Sequence, residues 1–279
     1  MPVWGRGATP GPVSLSAYMG KKRNLKIVVE YDGTGFFGWQ TQLDKPTVQG
    51  ELERAVGEIA GRPTHVVGAG RTDAGVHAEG QVANFHTHSP IPSRKWPEAL
   101  NAHLPDSIAV VGAQEVPLPF HAQYGATSKT YRYRVLNRPV RGALDRLRTH
   151  LVKAPLDVEK LKAAAKILVG THDFRSFGSE MSKKEKTVRT VCSFEVVSTP
   201  PFVDFVVTGD GFLYNQVRSM VGTLLRVGLG SEPVEWVKAV LEAKDRTKAG
   251  ANVPAKGLTL VEVRYDGKPR CRPTSSEEE

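Results

Sequence analysis

Apolar positions along this chain change period several times, and each change marks an element. Residues 25–32, LKIVVEYD, form a β-branched run closed by the turn pair Asp32-Gly33, which predicts a strand. After a loop rich in glycine and aromatic residues, Val48, Leu52, Ala55, Val56 and Ile59 recur at helical spacing behind Thr47, a residue suited to cap the first turn. Two strands are predicted next, near 64–67 and over 81–87, followed by a shorter helix around 93–103 and a strand around 108–116.

The same order returns in the second half. Lys129 to Leu136 reads as a strand with Tyr131, Tyr133 and Val135 on one face and Arg132 and Arg134 on the other. Asp157 is placed to cap a helix bearing Leu161, Ala164, Ala165 and Leu168, which Gly170 stops. Strands over 187–197 and 202–208 lead to helices over 214–227 and 233–244 and to a last strand over 258–265. Strand, helix, two strands, helix, strand, written twice, predict an α/β (α+β) fold of two pseudo-repeated βαββαβ-like halves. Their sheets would join edge to edge into one mixed, mostly antiparallel sheet, with helices on one side and a cleft on the other. The expected boundaries are a disordered leader over 1–24, with Met19 as an alternative start, halves over 25–125 and 126–266, and a flexible tail over 267–279.

Composition narrows the class. A chain of 279 residues, 40% of them hydrophobic, can build one large or two ordinary cores. It has no apolar run of the length, about 18 residues, that spans a bilayer, and its first residues lack the apolar stretch of a signal peptide. The net charge of +9 is spread along the whole chain, which points a folded body toward a polyanion: RNA, DNA or an anionic surface alike. Two cysteines, Cys192 and Cys271, without CxxC spacing, predict no structural zinc and a reducing compartment.

The chemistry concentrates in GAGRTDAGVHAEGQ, residues 68–81, where glycines and alanines flank one carboxylate, Asp73. Val66-Val67 before Gly68-Ala69-Gly70 imitates a dinucleotide fingerprint, but Asp73 stands where a third Gly or Ala is needed, and the following residues alternate like a strand. No Gly-Lys-Ser or Gly-Lys-Thr offers a phosphate loop either. An Asp in such a loop ordinarily forms a turn and pairs locally, here with Arg71. Against that, the glycines clear space for a bulky ligand to reach the acid. Arg71 would hold it ionised, which suits a nucleophile or base rather than a general acid.

Other candidates are weaker. His86 and His88 share a strand face without a carboxylate ligand nearby, and no GxSxG elbow accompanies the serines. Asp173 and Asp210 have no second acid at a glycosidase's spacing. Lys183, Lys184, Lys186 and Arg189 form one basic patch and Arg138, Arg141, Arg146 and Arg148 another; either would ordinarily be a solvated face. Arg218 lies beside Val217, Val221, Leu224 and Leu225 on a helix, where an unpaired charge would be costly, so it needs an anionic partner.

Five segments in order, EYDGTGFFGWQ (30–40), GRTDAGVHA (70–78), KTYRYRV (129–135), NQVRSMVGTLL (215–225) and AKGLTL (255–260), resemble the TruA-type tRNA pseudouridine synthase family. The resemblance runs from about Leu25 to Tyr265. It implies isomerisation of uridine to pseudouridine at positions 38–40 of the anticodon stem-loop of tRNA, with no cofactor and no metal. It implies that Asp73 attacks the nucleotide or removes one of its protons, and that Arg218 pairs with Asp73. By the same resemblance Tyr131 stacks on the target base, although the Tyr131, Tyr133, Val135 pattern alone would be core. Arg71 is then free to contact RNA and fill the gap left by an everted nucleotide, and Leu258 packs under the base. The family also implies a homodimer with RNA lying across both subunits, a cytoplasmic location and no membrane partner. The alternatives are a tRNA-binding or RNA-folding protein without chemistry and, disfavoured by the basic charge, a hydrolase of free nucleosides.

Overall fold

A computed structural model describes residues 20–179 and 186–266. Most of the expected leader, the whole expected tail, Lys183 and Lys184 lie outside the described residues. In the first half, β1 (Arg23–Tyr31) buries Leu25, Ile27, Val29 and Tyr31 at alternate positions. Helix α1 (Val48–Ala60) begins where the Thr47 side chain accepts from the Gly50 amide and ends at Gly61, whose left-handed backbone breaks it. There follow β2 (Val67–Gly68), β3 (His77–Thr87), α2 (Trp96–Asn101) and β4 (Ile108–Val116).

The second half comprises β5 (Ser128–Asn137), β6 (His150–Val152), α3 (Val158–Ile167), β7 (Gly170–Asp173), β8 (Val188–Thr199), β9 (Phe202–Gly209), α4 (Gln216–Gly228), α5 (Trp236–Ala243) and β10 (Leu258–Arg264). Asp157 caps α3 by accepting from the Lys160 amide. Among the described residues no helix is long and apolar enough to cross a membrane.

The strands described form one ten-stranded sheet in the order β4-β1-β3-β10-β5-β9-β8-β7, with β2 on β3 and β6 on β5. Every pairing is antiparallel except β3 with β10 and β5 with β6. The halves meet at β3 and β10, where Thr259 lies opposite His77 and Leu260 opposite Ala78. On its other edge β10 runs antiparallel to β5, so the last strand of the second half is the hinge plate between both.

Cross-strand register fixes what each face carries. Leu260 stands opposite Tyr131, Tyr131 opposite Val207 and Val207 opposite Phe194, so all four share a face. That face is the helix-covered one: α3 packs on β8, and Phe85 of β3 meets Trp96 of α2 edge to face at 5.1 Å. The other face presents the ion pairs Arg132–Glu79 and Arg134–Asp204. The main cleft is lined by Tyr131, by the loop leading into α1 and by the first turn of α4. It therefore opens on the helix side, where the sequence pattern placed it on the bare side. The period of two explains the difference: Tyr131 shares its face with the core residues Tyr133 and Val135. A cleft walled by that tyrosine and by a helix end must lie among the helices.

Other departures are local. The strand expected over 64–67 shrinks to two residues because α1 takes its place: the Val66 amide donates to Glu53 and the Val66 carbonyl accepts from Gln49. Strand β3 starts earlier than its alternation implies, where β10 pairs with His77 and Ala78. Strands β6 and β7, only 3 and 4 residues long, carry too little pattern to be foreseen.

Helix α4 owes its seat to Gly222, since a Cβ there would lie 1.9 Å from the Ala251 carbonyl oxygen of the loop crossing it. Gly222→Ala is expected to cost about 1–3 kcal/mol through overpacking. A lower urea midpoint at unchanged slope would register it; an unaltered midpoint would mean that the loop can lift off the helix freely.

Candidate active site

The loop between β2 and β3 is rich in glycine, yet its backbone is clamped. The Ala69 amide donates to the Val82 carbonyl at 2.7 Å, the Trp39 amide to the Thr72 carbonyl at 3.0 Å and the Gly75 amide to the Phe36 carbonyl at 3.3 Å. The Tyr31 hydroxyl and Thr72 Oγ1 share a buried hydrogen bond of 2.8 Å, and Gln81 Nε2 donates to the Gly70 carbonyl at 2.9 Å. Gly38, at φ +92, approaches so closely that a Cβ would sit 2.6 Å from the Thr72 oxygen, so only glycine serves there. These clamps turn Asp73 into the cleft and leave Arg71 exposed at its lip.

Asp73 meets Arg218 and not Arg71. Arg218 Nη1 donates to Asp73 Oδ2 at 3.0 Å and to Asn215 Oδ1 at 2.8 Å, while its Nε donates to the Val253 carbonyl at 2.8 Å. Asn215 precedes α4 in a left-handed conformation, φ 65, and makes no side-chain cap, which leaves its oxygen for the guanidinium. Each side chain of the ion pair is only 17% exposed. Burial pushes the Asp73 carboxyl above its ordinary pKa; the Arg218 hydrogen bond and charge pull it back without cancelling that rise. The local pairing with Arg71 that spacing offered is absent: among the described residues Arg71 makes no ion pair with an acid.

Tyr131 and Leu258 complete the walls. Tyr131, 8% exposed, meets Phe212 edge to face at 5.4 Å. Burial first, then the charges of Tyr31 and Asp73, raise its phenol far above the usual range, so it is a neutral ring at any working pH. Leu258, opposite Tyr133 in β10, is buried at the cleft wall. The cleft joining Asp73, Arg71, Tyr131, Arg218 and Leu258 measures ≈ 930 Å³, a volume that accepts a nucleotide-sized ligand.

Sequence reasoning missed Phe212, Asn215 and Lys129, which also line this cleft. Only Asn215 carried a signal, as a cap-type residue directly before a helical run. Of the basic patches, Arg138 and Arg146 are occupied by carbonyls of their own loop, and Arg148 approaches Asp32 at 3.5 Å. His86 and His88 face the carbonyls of Leu118 and Gly20, and no cluster able to hold a metal ion occurs among the described residues.

A clamped acid facing a guanidinium, set beside an aromatic wall on a strongly basic α/β body, has the chemistry that an enzyme acting on a nucleic-acid base requires. A family model described as tRNA pseudouridine synthase matches residues 27–125 and 164–266. Two curated relatives named tRNA pseudouridine synthase A, from Acetivibrio thermocellus and Clostridium acetobutylicum, are each 46% identical over 243 residues, or 87% of this chain and 100% of theirs. The chain belongs to the tRNA pseudouridine synthase family. Among solved structures, one titled as the crystal structure of a Cbf5-Nop10-Gar1 complex is 12% identical, with TM-score 0.37, over 84% of this chain and 57% of that one.

The electrostatics make a test independent of catalysis. In a carbon-13 NMR titration the Asp73 carboxyl should titrate above an ordinary aspartate, and Arg218→Met should move it higher still, because burial then acts unopposed. A carboxyl that titrates lower in the variant would refute this account of the pair.

Proposed function

We propose that this tRNA pseudouridine synthase uses Asp73 as its catalytic group on a uridine swung out of the 3′ side of the anticodon arm. The observation that carries the reading is the Asp73–Arg218 pair at the foot of a nucleotide-sized cleft. The isomerisation breaks the bond from N1 of uracil to C1′ of ribose and makes one from C5 to C1′, while C5 gives up a proton and N1 gains one. Composition and oxidation state are unchanged, so no cofactor is needed. Asp73 serves as nucleophile or as base, and either role requires the ionised form. Arg218 supports that form against burial, and its contacts to Asn215 and Val253 fix where the acid points.

Tyr131 provides the ring on which the everted base stacks, and Leu258 closes the pocket beneath it. Arg71, exposed at the lip, fills the vacancy left in the RNA stem. Everting the base costs a few kcal/mol, offset by phosphate contacts to a body of net charge +9. The enzyme acts as a homodimer in the cytoplasm, with the tRNA lying across both subunits; family membership supports this part of the reading.

Asp73→Asn is expected to bind tRNA nearly as the wild type does and to release no tritium from C5-labelled uridine in tRNA; appreciable turnover would remove Asp73 from the chemistry. Tyr131→Ala should lower kcat/KM about 5- to 150-fold, matching a stacking contribution of roughly 1–3 kcal/mol. Site-by-site mapping of pseudouridine in treated tRNA, with modification outside the anticodon arm as the contrary outcome, tests the position.

A further inference from the structure

We propose that Lys129 and Arg189 form a seat for a backbone phosphate of the everted nucleotide, beside the Tyr131 ring and apart from the Asp73–Arg218 pair. The proposal rests on the reading of the cleft as a uridine site. Lys129 precedes Tyr131 by two residues on β5, so the two share a face with about 7 Å between them along the strand. Its ammonium reaches the acid-bearing loop: a Cβ on Gly70 would lie 2.8 Å from Nζ. Across the sheet, Gly209 of β9 stands opposite both Lys129 and Val191, and Arg189 is two residues before Val191 on the same face of β8.

No carboxylate answers these charges among the described residues. Asp73 is held by Arg218, and Asp210 accepts from the Thr190 amide. Among the described residues Arg189 donates to the carbonyls of Lys186 and Val188. Burial, and then the charge of Arg189, push the Lys129 ammonium below its ordinary pKa, in keeping with the shared sheet face that the register gives them. Two cations on one sheet face, each half-buried and with no acid partner among the described residues, are costly unless an anion lies between them. A phosphodiester is the anion that the substrate carries at every nucleotide, and a lysine binds it as a point charge. A base resting on Tyr131 has its own phosphates within one nucleotide of this place.

Lys129→Gln and Lys129→Arg, assayed with unmodified tRNA over a salt series, test the seat. Lys129→Gln should raise KM and weaken tRNA binding by about tenfold, with a smaller change in kcat, and should reduce the slope of log affinity against log salt by about 1. Lys129→Arg should restore most of the binding. An unchanged salt slope and KM would make Lys129 a solvated rim group and overturn the proposal. So would a collapse of kcat at unchanged slope, which would mean that Lys129 positions the acid-bearing loop. Should Lys129→Gln fail to fold, Arg189→Gln reads the same slope from the other side of the seat. Wild-type protein that makes no pseudouridine in tRNA would sink the uridine reading itself, whereas an active wild type with an unaltered Lys129→Gln slope sinks only the phosphate seat.

Discussion

The structure turns on one ion pair between residues 145 positions apart in the chain. A carboxylate and a guanidinium taken largely out of water are worth keeping only when their geometry is good and the remaining donors are used. Here the Arg218 guanidinium is used on three sides, by Asp73, Asn215 and the Val253 carbonyl. Each partner depends on a different part of the fold. Asp73 depends on the clamps from Tyr31, Trp39 and Phe36, Asn215 on the turn into α4, and Val253 on the loop that lies across Gly222. The pair thus reports whether both halves of the sheet are correctly assembled.

Burial and charge oppose each other at Asp73, and the balance sets the chemistry available. Without Arg218 the same loop would hold a carboxyl resistant to ionisation, and without burial the guanidinium would be only a screened surface partner. Sharing one face with the hydrophobic core keeps Tyr131 buried and its ring neutral at the cleft wall. The opposite face of the same strand, carrying Arg132 and Arg134, remains in contact with solvent through their ion pairs.

Much of this was legible in the sequence where the physics is local. Thr47 and Asp157 announced their helices because a cap needs only its own turn, and β4 is found over the residues its pattern predicts. The family motifs, carried by residue identity, brought Asp73, Tyr131, Arg218 and Leu258 into view together. Local spacing alone offered Arg71 as the partner of Asp73, since nothing in a linear reading reveals which side of a loop will be clamped. The side of the sheet that holds the cleft was equally hidden, because strand register is set by pairings such as Leu260 with Tyr131 across distant segments. Lys129 passed as an ordinary polar strand position, its surroundings being supplied by Gly70 and Arg189 from elsewhere.

The join between the halves runs through β10, inserted between β3 and β5. During synthesis a ribosome therefore releases the acid, the tyrosine and even the arginine before the segment that brings them together has emerged. Until Leu258–Arg264 leaves the exit tunnel, a nascent chain possesses every one of these groups and no interface to unite them. Assembly of the pocket is thereby tied to the last strand of the sheet to be synthesised.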